Sequence, residues 1–223
     1  MLTGERLRYR RIAKAYDGIL TLTGFKRGIE RFLDRLEFNF PPRARLLDAG
    51  CGTGLISRYL ARRFPLAEIV ATDIDPAMLA AMRRQLEREG IANSVILAAG
   101  DLQDPHHLRR YGTNELIVVP RDYFDAVFIS GALEHVPFRE TLPRLVKLLK
   151  PGGTFFNIGV RRNPAGAVLG MVYHFRPYRL AELRSAFADA GLTGIRTLRL
   201  SVEEFPANLS RIAIIAKKLE TRK

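Results

Sequence analysis

Cysteine occurs once in the 223 residues, at Cys51, so no internal disulfide can form. No apolar run approaches the ~20 residues that a membrane-spanning helix needs. The opening MLTGERLRYRR is basic but lacks the apolar segment of a secretory leader. The cytoplasm is therefore the expected compartment. Internal repeats, low-complexity tracts and the composition break of a second domain are missing too. Acids are the scarcer charge, 23 Asp and Glu against 36 Lys and Arg, for a net +13. Such a balance favours anionic partners: nucleic acid, acidic lipid headgroups or acidic small molecules. The basic residues are mostly arginine and lie along the whole chain, so an arginine-rich composition explains the charge equally well.

Hydrophobic residues make up 47% of the chain, enough for one full core. Ile12, Tyr16, Ile19 and Leu20 share one helical face, and Phe25, Ile29, Phe32, Leu33 and Leu36 share another. These spacings predict an amphipathic helical cap over residues 1–40, closed by Pro41-Pro42. From residue 41 onward the pattern alternates. Strands are expected over 44–50, 67–73, 94–101, 123–130 and 152–160, with helices over 54–64, 76–90, 138–150 and 178–191. Two further strands, 194–200 and 210–218, have no helix between them and should pair antiparallel. Strands alternating with helices imply a largely parallel sheet covered on both faces. Residues 102–122 and 160–177 carry no clear period. They are expected as irregular connections at the edge where such sheets bind ligands.

The stretch LLDAGCGTGL, residues 46–55, follows the first strand and opens a helix. Glycine is entropically costly unless the backbone needs positive φ or a close approach. Gly50, Gly52 and Gly54 at alternate positions therefore suggest a ligand against the main chain. The dinucleotide fingerprint wants its third glycine one residue later, where Leu55 stands. Asp48 directly before the loop is unhelpful beside a pyrophosphate and suited to a cationic ligand.

LLDAGCGTG resembles motif I of the class I S-adenosylmethionine-dependent methyltransferases. The resemblance runs from residue 44 to 218. IVATDIDPAML (69–79) is similar to the second motif, AAGDLQD (98–104) to the third, FDAVFISGALEHV (124–136) to the fourth strand and its loop, and LLKPGG (148–153) to the turn before strand five. It implies a doubly wound, mostly parallel seven-stranded sheet, the last strand antiparallel, beneath an N-terminal helical lid. The methyltransferase domain would span 41–223. It also implies S-adenosylmethionine as cofactor: the glycines against its methionine part, Asp48 orienting that part, Asp73 on the ribose hydroxyls, Asp101 on the adenine amino group, Leu102 near the ring and Ile74 on its face. Cys51 and Ser130 join this set by position, Cys51 as a small packing residue. Asp75, just before Pro76, reads as a helix N-cap.

The acceptor is less legible. The Asn/Asp-Pro-Pro-Tyr tetrapeptide of exocyclic-amine methylases is absent, ISGA standing in its place. Cytosine-C5 methylases need a nucleophilic cysteine outside motif I, and arginine methylases a second loop glutamate beside Glu134; neither exists here. LEHVP (133–137) resembles the loop of small-molecule methyltransferases, quinone-biosynthesis enzymes included. Some of these carry a metal-site Glu where this chain has Gly131, so no metal is expected. His135 is either a general base or orienting group for the acceptor, or a structural loop residue. Residues 11–33 resemble the segment preceding motif I in ubiquinone and menaquinone C-methyltransferases, which makes Tyr16 a lid residue over the cofactor. Arg6, Arg8, Arg10, Arg11 and Lys14 make that helix basic as well as amphipathic, so it suits an anionic membrane surface. Arg161, Tyr173 and His174 are candidate acceptor-site residues, with Met171 and Phe175 as an apolar wall and Arg162 beside Arg161. The expected function is methyl transfer to a small, lipophilic acceptor such as a quinone precursor or lipid headgroup. An RNA methyltransferase and a non-catalytic cofactor-binding regulator are the alternatives.

Overall fold

The computed structural model describes residues 24–220; the first cap helix and Tyr16 lie outside them. Among the described residues, nine strands form one sheet: β1 (Arg45–Ala49), β2 (Glu68–Asp73), β3 (Val95–Ala99), β4 (His107–Arg110), β5 (Leu116–Val118), β6 (Phe124–Ser130), β7 (Leu149–Val160), β8 (Leu192–Arg199) and β9 (Arg211–Lys218). Their order is β5-β4-β3-β2-β1-β6-β7-β9-β8. The five strands β3, β2, β1, β6 and β7 run parallel, and β9 is antiparallel to both β7 and β8. Seven of the strands follow the expected plan. The count is nine because residues 102–122 are not irregular. Their segments β4 and β5 form a hairpin that adds antiparallel to the edge of β3.

Helices cover both faces, which is why the parallel strands read as apolar runs. On one face lie α1 (Phe25–Asp34), α2 (Leu55–Arg63) and α3 (Pro76–Arg88); on the other lie α4 (Phe138–Leu148) and α6 (Leu180–Asp189). Adjacent phenylalanines on β7 show the period-two logic. Phe156 points to the first face, against Phe128 and Phe32; Phe155 points to the second, edge-on to Phe187 at 5.2 Å. α1 belongs to this core. Phe32 and Leu33 are fully buried, and a Cβ at Gly28 would stand 2.5 Å from the carbonyl oxygen of Glu204. That close approach seats the helix on the 202–209 segment, where Arg35 also pairs with buried Glu204 at 3.0 Å.

Residues 160–177 also differ from expectation. Pro164–Tyr173 forms a helix, α5, started by Asn163, whose side chain accepts the Gly166 N–H at 2.8 Å. The Asp75 cap of α3 is as read from sequence: its carboxylate accepts the Ala77 N–H at 2.8 Å. Asp75→Ala should lower stability by about 1 kcal/mol in denaturant unfolding. An unchanged midpoint would refute the cap.

Candidate active site

The carboxyl ends of β1, β2, β3, β6 and β7 all meet one edge, so their following loops converge there. After β1 the chain turns on Gly50 (φ 72°), Gly52 (φ 54°) and Gly54 (φ 84°). The N–H groups of Gly50 and Cys51 both donate to the Thr72 carbonyl at 2.8 Å, tying the loop to β2. The missing side chains serve different ends. A Cβ at Gly50 would meet the Ala132 methyl at 2.5 Å, and one at Gly54 would meet Met82 at 2.6 Å. A Cβ at Gly52 would meet no protein atom within 4 Å. The backbone there faces open space, a cradle that any side chain would fill.

Two acids underlie the loop. Asp48 is fully buried, and its Oδ2 accepts both the backbone N–H and the hydroxyl of Ser57 in the first turn of α2. Its Oδ1 is buried with no hydrogen-bond partner among the described residues. Burial pushes the Asp48 carboxyl up to about 7, against the lowering pull of the Ser57 bonds. Asp73 ends β2. Its Oδ2 accepts the Gly52 N–H at 2.8 Å and its Oδ1 the Asp75 N–H at 2.9 Å, so it fixes both loops. Burial raises its pKa as well. Burial and then Asp48 raise the Cys51 thiol strongly, so it stays protonated and is no nucleophile. Asp101 follows β3 and accepts the Gln103 N–H at 2.8 Å, while Leu102 approaches Gly50. Ile74 is 70% exposed at the end of β2, an apolar surface on the same edge.

Beside the loop lies a cleft of about 250 Å³. Gly50, Cys51, Gly52 and Ser130 line it together with Leu169, Tyr173, Phe175 and His135. The His135 ring stands edge-on to Phe175 at 5.1 Å. Burial lowers its pKa; Glu134 opposes that shift and Arg211 reinforces it, so the imidazole is neutral at neutral pH. The structure thus brings together His135, Tyr173, Ser130 and the loop. It does not bring in His174, which is exposed at the end of α5 with φ 56°. Arg161 lines an adjacent cavity of about 280 Å³ with Glu134 and Tyr178, and donates to the Asn208 carbonyl at 3.2 Å. Sequence reasoning missed Phe25, Val160 and Arg211 in the main cleft. For Arg211 a signal existed: an antiparallel last strand must begin at the ligand edge.

A doubly wound sheet with a glycine loop at the carboxyl ends of its strands defines a protein that binds its ligand at that edge. Comparison with known proteins makes it particular. The Methyltransferase domain family matches residues 47–155. The chain is 32% identical over 173 residues to the demethylmenaquinone methyltransferase of Thermus thermophilus, spanning 77% of this chain and 72% of that protein. A chain from the Haloferax volcanii complex of the Trm112 methyltransferase activator with a methyltransferase shares the fold. It superposes with TM-score 0.72 and 18% identity over 96% of this chain and 97% of its own. Geranyl diphosphate C-methyltransferase from Streptomyces coelicolor superposes with TM-score 0.67 and 15% identity over 85% of this chain and 79% of its own. This chain belongs to the class I S-adenosylmethionine-dependent methyltransferases.

The residues present fit that cofactor. Gly52 offers the open cradle, and the buried Asp48 carboxylate with its spare oxygen suits a cationic group. When bound, S-adenosylmethionine supplies an activated methyl group on a sulfonium. We propose that Asp73 takes the ribose hydroxyls. Asp73→Ala should weaken S-adenosylhomocysteine binding by about 1–3 kcal/mol, since it frees the Gly52 N–H and leaves hydroxyls unpaired. Unchanged affinity in calorimetry would sink the assignment.

Proposed function

We propose that the protein methylates a small, lipophilic acceptor held in the cleft beside the glycine loop. The observation that carries this reading is the cleft itself. It is small, apolar along Leu169, Tyr173 and Phe175, and contains one neutral imidazole, His135. Such a site positions a small molecule and excludes water, which is most of what transfer from an activated sulfonium requires. A base is needed only where the acceptor must lose a proton, and His135 serves there.

Helix α5 supports the lipophilic part of the reading. Its Leu169 and Tyr173 line the cleft, while Val168, Met171 and Val172 are 54%, 70% and 45% exposed on its outer surface. Arg161, Arg162, Arg176 and Arg179 flank it in sequence. An exposed apolar helix edged by arginines suits the surface of an anionic membrane, from which a lipophilic acceptor would enter. No helix among the described residues is long and apolar enough to cross a membrane.

The test is transfer of labelled methyl from S-adenosylmethionine into a fractionated cell extract by the purified protein. Label is expected in the organic phase. Label in RNA would overturn the reading and make the +13 charge the leading clue. Tight cofactor binding with no label in any fraction would favour a regulator instead.

A further inference from the structure

Arg211 differs from the other arginines whose contacts surround the core. Arg35 pairs with Glu204, Arg58 with Glu89, and Arg161 with a backbone carbonyl. The Arg211 Nη1 is buried yet has no hydrogen-bond acceptor among the described residues. Its guanidinium lies 5.2 Å from the Phe25 ring centre and lines the cleft. Gly131 makes room for it: a Cβ there would stand 3.3 Å from Nη1, on a backbone with φ 65°. A buried, unpaired guanidinium nitrogen is costly unless a ligand completes it. The Phe25 face contributes attraction but accepts no strong hydrogen bond.

The charges near the cleft come from different strands. Asp48 and Asp73 lie under the glycine loop, at β1 and β2. Arg211 opens β9, in register with Val160 of β7, three strands from β1 in the order β1-β6-β7-β9. Lys26, on α1, is the other charged side chain among the lining residues, and no carboxylate is among them. Phe25, Leu169 and Phe175 give the same cleft an apolar wall. The lining of the cleft is thus cationic and apolar, while the acids lie beneath the loop.

We propose that Arg211 is a specificity residue that binds an oxyanion, a carboxylate or phosphate, carried on the apolar body of the acceptor. This rests on the reading of the cleft as a small-molecule acceptor site. The acceptor then lies with its anionic head on Arg211 and its body along Phe175. The neutral His135 lines the same cleft. The Arg211 Nη1 is already desolvated, so a charge-assisted bond to it is stronger than at the surface.

Calorimetry on the full chain tests this with benzoate and phenyl phosphate as probes and benzyl alcohol as their neutral counterpart. S-adenosylhomocysteine should bind wild type, Arg211→Met and Arg211→Lys alike. In protein saturated with it, the two anions should bind wild type more tightly than benzyl alcohol. Arg211→Met should weaken the anions by about tenfold or more and leave the alcohol unchanged, with Arg211→Lys intermediate. Its melting temperature should equal or exceed that of wild type, because an unpaired buried N–H group is removed. A lower melting temperature would mark Arg211 as structural and overturn the proposal. Equal binding of anions and alcohol to wild type would overturn it too, as would anion binding that survives in Arg211→Met. A fall in S-adenosylhomocysteine affinity in Arg211→Met would give the guanidinium to the cofactor's own carboxylate instead. Label transferred to small molecules together with no anion preference would sink this inference alone. Label transferred to RNA would sink the reading beneath it.

Discussion

Stability of the ligand-free protein should fall as pH rises from about 4 to about 7, and Asp48→Asn should abolish most of that fall. The cause is the buried Asp48 carboxyl, which titrates near 7 in the folded chain against 3.8 ordinarily. Between those values the folded state holds a proton that the unfolded state has released. Stability therefore decreases with rising pH across this window and is flat above it. The span is worth on the order of 4 kcal/mol. Asn keeps an acceptor for the two Ser57 donors and carries no charge, so the variant should be more stable than wild type at pH 8 and similar at pH 4. Chemical unfolding at several pH values measures this. Parallel profiles for the two proteins would refute it. The ionised Asp48 is unfavourable to the empty fold and favourable to a bound cation. The variant should therefore also bind S-adenosylhomocysteine more weakly, a stability–function exchange common at binding sites.

The ligand edge was legible in sequence because its signals are local. Gly50, Gly52 and Gly54 demand positive φ, Asp75-Pro76 starts a helix, and the strands between are short apolar runs. The order of five such motifs then gives the sheet. The β4–β5 hairpin was not legible. Its strands are four and three residues long, and Leu108 alone among them is buried. It exists because β3 offers an open edge, a tertiary fact. Helix α5 was missed for another reason. Its PAGAVLGMVY segment is apolar on all sides and contains two glycines, so it has neither amphipathic period nor propensity. The glycines instead permit close packing, since a Cβ at Gly170 would meet the Phe175 carbonyl at 2.6 Å. Asn163-Pro164 was the available cue, an N-cap followed by proline at the first helical position. Arg211 was missed because nothing in an apolar strand with basic ends marks one cation as unpaired. Only the strand's direction places it at the ligand edge.

His135→Gln should lower kcat by about 10²–10⁴-fold for an acceptor that must lose a proton, since that is what a positioned general base contributes. The imidazole is poised for it: burial keeps it neutral, and its ring is held against Phe175 in the cleft. A loss of packing would also lower activity, so the pH profile decides between the roles. For wild type, kcat should fall only below the ordinary imidazole value of 6.5, because the folded pKa is lowered. The Gln variant should lose that acid limb and keep its residual rate across the range. Asp48 gives a separable signal. Its titration near 7 affects cofactor binding, so it should appear in the KM for S-adenosylmethionine and not in kcat. A kcat limb that persists in His135→Gln would remove His135 from the chemistry and leave it as a wall of the cleft. A wild-type limb at the same pH in both parameters would mean that one group, Asp48, governs both.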